Sequence, residues 1–202
     1  MHPLSNTTGC TRDSKHAQLA RNLCMDRKAN PSSLDVAISL LQDSDKETVC
    51  KLAREIWYLH YPGIITVKQI DYMLEQRYQP SEIHNTLNRP ISCWFKASIK
   101  DQLCGFAQCE GDDKNENVKL DKIYVHPRYQ RYGVGKSLIE YIDKFFYDRN
   151  YSSLYLQVNK GNKTSIDFYK KTGFKLAREI VVEIGEGFVM DDYVFRKRLG
   201  GH

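Results

Sequence analysis

Seven residues, Gln130-Arg131-Tyr132-Gly133-Val134-Gly135-Lys136, sit between an apolar run, Lys119–Val125, and a long amphipathic stretch that starts at Val134. A turn in that position leaves several backbone N–H groups without partners at a helix N-terminus. Two glycines let the backbone approach a ligand closely, and the helix dipole adds partial positive charge there. The segment is therefore suited to bind phosphate or pyrophosphate. Its Gln-x-x-Gly-x-Gly spacing lacks the third glycine, and the acidic residue about 20 positions on, that a dinucleotide loop needs. No Gly-Lys-Ser/Thr follows at the spacing of a P-loop. Taken alone, the glycine pair also fits an ordinary turn.

The flanking elements can be read from periodicity. Leu34 to Leu41 reads as a short strand, and Asp43-Ser44-Asp45 supplies helix N-cap residues. Val49, Leu52, Ala53, Ile56 and Trp57 then recur at helical spacing. Tyr61-Pro62-Gly63 ends that helix. A second helix follows Thr66, with Val67, Ile70, Met73 and Leu74 on one face, and Pro80 stops or bends it. Ile91, Cys93, Phe95, Ala97 and Ile99 alternate as a half-buried strand. Leu103 to Cys109 carries its partner, and the strand ending at Val125 completes an antiparallel meander. After the glycine loop, Val134, Leu138, Ile139, Ile142, Phe145 and Phe146 form a helical stripe. Leu154, Leu156 and Val158 read as a strand, and Asn162 to Thr172 as a short helix. Leu176 to Ile184 and Phe188 to Phe195 read as a closing hairpin.

Composition narrows the class. The chain has 202 residues, enough for one sizeable core, with 41% hydrophobic and 27% charged residues. The net charge of +5, from 30 basic and 25 acidic residues spread along the chain, is too mild to argue for nucleic acid. No apolar run approaches the length of a membrane span, and the first residues lack the regions of a signal peptide. The expectation is a cytoplasmic protein with no membrane or nucleic-acid partner. Six cysteines form no Cys-x-x-Cys pair, so neither a metal site nor a disulfide framework is expected. Residues 1–33 are polar and read as a mobile extension or a loosely docked helix, with the folded domain at 34–199.

A second motif gives the order of elements a meaning. Asn162-Lys163-Thr164-Ser165-Ile166-Asp167-Phe168-Tyr169-Lys170-Lys171-Thr172-Gly173-Phe174 resembles the Asn-x-x-Ala-x-x-x-Tyr-x-x-x-Gly-Phe motif of the GNAT superfamily of N-acetyltransferases, with Ser165 in place of Ala. The glycine loop resembles that family's acyl-CoA loop, and Gly105-Phe106-Ala107 resembles the strand before it. The resemblance covers about residues 90–175. It implies an α/β fold with a central mixed, mostly antiparallel sheet of six or seven strands, flanked by helices and splayed at the acyl-CoA site. Tyr61 to Leu74 and Gly187 to Tyr193 are also similar to a bacterial subgroup that includes polyamine N-acetyltransferases.

By this resemblance the chain is an acetyl-CoA-dependent N-acetyltransferase, working by direct attack in a ternary complex, without a metal. Its acceptor would be a small cationic amine. A protein or peptide amine, or a non-catalytic acyl-CoA-binding module, are the other readings. Backbone of Ile123, Tyr124 and Val125 would pair with pantetheine, and the Val125 N–H would polarise the thioester carbonyl. Gln130, Arg131, Tyr132, Gly133, Val134, Gly135 and Lys136 would hold the pyrophosphate. Tyr169 would protonate the leaving thiolate, or else is a packing tyrosine. Asn162 would contact pantetheine or cap its helix. Glu110, Asp121 and His126 are candidate bases, as is a water chain, since an ammonium must lose a proton before attack. Tyr61, Tyr72 and Asp192, with Glu183, Glu186 and Asp191, would give an acidic, aromatic mouth for the amine. A homodimer is common in such proteins.

Overall fold

A computed structural model describes residues 35–112, 114 and 116–200. The expected extension over 1–33, with Cys10 and Cys24, lies outside the described residues. Seven strands form one sheet: β1 (Val36–Leu40), β2 (Ser92–Ile99), β3 (Gln102–Gly111), β4 (Asn117–Val125), β5 (Ser153–Asn159), β6 (Lys175–Gly185) and β7 (Phe188–Arg198). Their spatial order is β1-β2-β3-β4-β5-β7-β6. The first four make an antiparallel meander, β4 and β5 are parallel, and β7 lies antiparallel between β5 and β6. The closing hairpin thus inserts its second strand beside β5 and leaves β6 at the edge.

Helices cover both faces, which is why adjacent residues of β2 are both apolar and both buried. Trp94 and Phe106 pack under α1 (Lys46–His60), α2 (Val67–Arg77) and α3 (Pro80–Leu87). Phe95 and Ala107 pack on the other face, against α4 (Val134–Tyr147), whose Leu138, Ile139, Ile142 and Phe146 form the core stripe expected from sequence. The fifth helix, α5 (Lys163–Lys171), joins the same core through Ile166 and Tyr169. Among the described residues no helix is long and apolar enough to cross a membrane.

Three local features have physical causes. The α2 helix ends at Arg77, and Pro80 neither stops nor bends it but occupies the first turn of α3 behind the N-cap Gln79. Proline suits that position because its missing N–H would be unpaired there anyway. The acidic run at 43–45 forms a 3₁₀ turn before α1, with the Asp45 carboxylate accepting the Gln42 N–H at 2.9 Å. Finally, β4 carries one residue more than β3 at Asp121, because Gln108 pairs with Lys122 and Cys109 with Leu120. That bulge re-aims the second half of β4.

Candidate active site

The bulge sets up the site. Parallel pairing of β4 with β5 runs from Asn117↔Ser153 to Leu120↔Leu156 and ends there, although β4 continues to Val125 and β5 to Asn159. A cleft of about 630 Å³ opens between the diverging carboxyl ends, lined among others by Ile123, Val125, Gln157, Asn159, Tyr169 and Asp192. A larger groove of about 1110 Å³ at the far end of the sheet, lined by Tyr147, Tyr151 and Arg198, contains none of the motif residues.

Backbone direction in this gap follows from one hydrogen bond. His126 N–H donates to Cys104 O on β3 at 2.9 Å. Successive backbone groups alternate sides along a strand, so the N–H groups of Val125 and Ile123 point away from β3 and into the gap. Val125 O lies on that same side and accepts from Gln130 Nε2 at 3.3 Å. An extended amide chain placed there would meet a strand edge that no other strand pairs.

The glycine loop forms one rim. Gly133 is the N-cap of α4 in the left-handed region, φ 83°, and offers no side-chain cap. The N–H groups of the first helical turn therefore stay unpaired by side chains. A Cβ on Gly135 would come within 3.2 Å of the Phe168 ring, so the loop lies close against α5 and a larger residue there would have to displace that ring. Gln130, Arg131, Gly133, Val134, Gly135 and Lys136 all line the cleft. Tyr132 is half-buried and is not part of the lining. The Lys136 ammonium also reaches Glu140 at 3.4 Å, one turn along α4.

On the opposite rim, Asn162 caps α5 by accepting the Ser165 N–H at 3.2 Å. Its amide nitrogen lies 3.0 Å from Nε2 of His60, at the end of α1. Both polar ends of Asn162 are thereby engaged, which makes it a positioning residue for the rim. Burial lowers the pKa of His60 and keeps it neutral. Tyr169 packs between Phe168 and Phe174, at ring separations of 5.4 and 5.7 Å, and its phenol lines the cleft. Burial pushes its pKa well up, so it is a proton donor rather than a base.

The carboxylates separate sharply. Asp121 lines the cleft, and burial alone would raise its pKa. The charges of Lys122, Arg77 and Lys119 outweigh that and hold it well below the carboxylate range. Lys122 Nζ lies at 2.7 Å, Lys119 Nζ at 2.8 Å, and the Arg77 guanidinium is also bonded to it. An anion held by three cations is a poor proton acceptor, so Asp121 does not fit the role of base. Glu110 fits no better, because it lies outside the cleft at the other end of the sheet, paired with Arg89 at 3.3 Å. His126 is outside the lining too, and its Nδ1 accepts the Arg128 N–H at 3.2 Å.

Of the expected amine-binding residues, the structure brings two to the cleft. Tyr61 meets Tyr124 hydroxyl to hydroxyl at 3.3 Å, beside Trp57 and Tyr78. Asp192 is 6% exposed, sits opposite Asn159 in the β5–β7 register, and its Oδ1 has no hydrogen-bond partner. Burial, helped by the neighbouring charge of Asp191, raises its pKa to about 6. Tyr72 instead donates to Ile184 O at 2.8 Å and packs on Phe188, which ties α2 to the hairpin and uses its hydroxyl away from the cleft. Asp191 and Glu179 both hold Lys160, each at 2.7 Å. Sequence reasoning missed Trp57 as a site residue because its place in the α1 stripe reads as packing. Its indole N–H, like Asp192 Oδ1, is a buried side-chain polar atom without a partner.

The model of the acetyltransferase (GNAT) family matches residues 50–174. Spermidine N(1)-acetyltransferase from Thermoplasma acidophilum is 26% identical over 147 residues, covering 71% of this chain and 90% of that protein. A thialysine N-epsilon-acetyltransferase from Bos taurus is 37% identical over 60 residues, 30% of this chain and 35% of that protein. Among solved structures, the PaiA N-acetyltransferase from Thermoplasma acidophilum in complex with coenzyme A superposes with a TM-score of 0.71 at 25% identity, covering 81% of this chain and 99% of that one. The family match over most of the described chain, together with a splayed β4–β5 gap flanked by both motifs, shows that this chain belongs to the GNAT family and is an acyl-CoA-dependent N-acetyltransferase.

Proposed function

We propose that the protein transfers the acetyl group of acetyl-CoA to a small cationic primary amine. The observation that carries this reading is Asp192, a buried carboxylate in the cleft wall with an oxygen that nothing else bonds. A buried anion without a partner is costly unless a cation or a proton completes it. Trp57, Tyr61 and Tyr124 line the same cleft, and aromatic rings suit an alkylammonium. The relative named spermidine N(1)-acetyltransferase supports an amine acceptor of this kind.

Each residue then has a task. Backbone N–H groups at the start of α4 hold the pyrophosphate of acetyl-CoA, with Arg131 and Lys136 adding charge. The free edge of β4 at Ile123–Val125 takes the pantetheine amides. Val125 N–H polarises the thioester carbonyl, where negative charge grows as the amine attacks. Tyr169 gives its proton to the departing thiolate. Asn162, fixed through Ser165 N–H and His60, holds the α5 rim that carries Tyr169.

The test is release of free CoA from acetyl-CoA with separate pools of polyamines, amino acids, aminoglycosides and peptides. Release confined to one cationic amine class supports the reading. Tyr169→Phe should then lower kcat by about 10²–10⁴-fold with acetyl-CoA affinity kept. Full turnover in that variant would remove Tyr169 from the chemistry. Release driven only by peptides would overturn the small-amine acceptor.

A further inference from the structure

We infer that Asp192 is the catalytic base of this enzyme: its unpartnered Oδ1 takes the proton from the acceptor's ammonium and so creates the nucleophile inside the cleft. The inference rests on the reading of the cleft as an amine site and goes beyond anchoring, because it assigns a chemical step.

Elimination within the cleft supports it. Among the described residues lining the cleft, the carboxylates are Asp121, Asp167 and Asp192. Asp121 is saturated by three cations, and Asp167 is exposed on the outer turn of α5. His60 is held against Asn162, and Tyr169 keeps its proton. Asp192 alone combines burial, an open oxygen and a place at the splay. Opposite it stand Asn159 on β5 and Ile180 on β6, both uncharged. The charges that reach it are Asp191 on its own strand, Lys160 after β5 and Lys119 on β4. Tyr61 at the end of α1 lines the same cleft and feels its charge. Lys160 is engaged by Asp191 and Glu179, and Lys119 by Asp121. Neither cation bonds Asp192. A carboxylate desolvated to a pKa of about 6 is ionised near neutral pH yet more basic than an ordinary one.

The step balances as follows. R–NH₃⁺ gives one proton to the Asp192 carboxylate, and the neutral amine attacks the thioester carbon, forming the C–N bond. The C–S bond breaks and the thiolate takes the Tyr169 proton. The Tyr169 phenolate recovers a proton from the new amide nitrogen. Asp192 returns its proton to water, so one proton is released per turnover.

The experiment compares wild type and Asp192→Asn with spermidine, propylamine and methoxyamine, the last being unprotonated near neutral pH. With propylamine or spermidine, kcat should fall about 10²–10⁴-fold in the variant, beyond any rise in KM from the lost ammonium contact. The acidic limb of kcat/KM near pH 6 should disappear. With methoxyamine the two proteins should come within about tenfold, because no proton need be removed before attack. Unchanged acetyl-CoA binding shows that the variant is folded. In wild type alone, the limb should appear with propylamine and be absent with methoxyamine, which tests the base without any substitution. A variant that loses KM while keeping kcat would make Asp192 an anchor only. A limb near pH 6 that persists in the variant would overturn the assignment. No transfer by wild type to any of these amines would remove the amine reading itself, and this assignment with it.

Discussion

Asp121 and Asp192 are both carboxylates of one cleft wall, and their surroundings push them in opposite directions. Their linkage to stability has opposite signs. The folded-state pKa of Asp121 lies below its unfolded value, so its contribution is present above about pH 4 and is lost as pH falls. Asp121→Asn should cost about 3 kcal/mol at neutral pH by leaving Arg77, Lys119 and Lys122 without their anion, read from urea unfolding. Asp192 has the reverse sign, because the folded chain holds its proton up to about pH 6. Folding therefore loses stability as pH rises from about 4 to about 6. Asp192→Asn should accordingly stabilise the apoprotein by about 1–2 kcal/mol at pH 8 and have no effect at pH 4, by the same urea titration. A carboxylate kept for function at a cost in stability is the usual exchange at active sites. Part of the difference is in the sequence, where Lys119 and Lys122 flank Asp121 and Asp192 adjoins Asp191, but the burial and open oxygen of Asp192 are not. Asp121 is set apart by Arg77, 44 residues away, and only folding brings that charge to it.

At the scale of elements, the glycine loop was legible because its pattern is local. Strand, glycine pair and helix follow one another within 20 residues or so, and in the proposed role backbone geometry would do the binding. Gly133→Ala puts a Cβ at φ 83° and should cost about 1–2 kcal/mol in urea unfolding. It should also weaken acetyl-CoA binding in calorimetry, since relief of that strain withdraws the N–H groups. A variant that kept full acetyl-CoA affinity would show that the loop does not need this conformation. The α2–α3 junction was less legible. A proline after a helical run is ambiguous between stopping one helix and starting the next, and Gln79 as an N-cap carries no strong signal. Tyr72 failed for a related reason. Its place on an amphipathic helix left open whether cleft or hairpin would claim it, and Ile184 O claimed it.

For the whole molecule, the family resemblance implied a splayed sheet, and the β4–β5 pairing that ends at Leu120 and Leu156 is that splay. What periodicity could not supply were the long-range ties that finish the site. His60 reaches Asn162 across 102 residues of sequence, joining the α1 side to the α5 rim. Gly200 N–H donates to the buried Asp143 at 2.9 Å, with Lys197 as counter-ion, so the segment after β7 is clasped to α4 on the other face. The bulge at Asp121 divides β4 between two masters. Residues before it are pinned on both edges by neighbouring strands, whereas those after it have one edge closed by β3 and one left for a visitor. That division gives the strand two clocks. In deuterated water the amide of Leu120 should exchange slowly whether or not a ligand is present. Those of Ile123 and Val125 should exchange fast in the free enzyme and slow markedly once acetyl-CoA is bound, so that the co-substrate acts for a few residues as the eighth strand of the sheet.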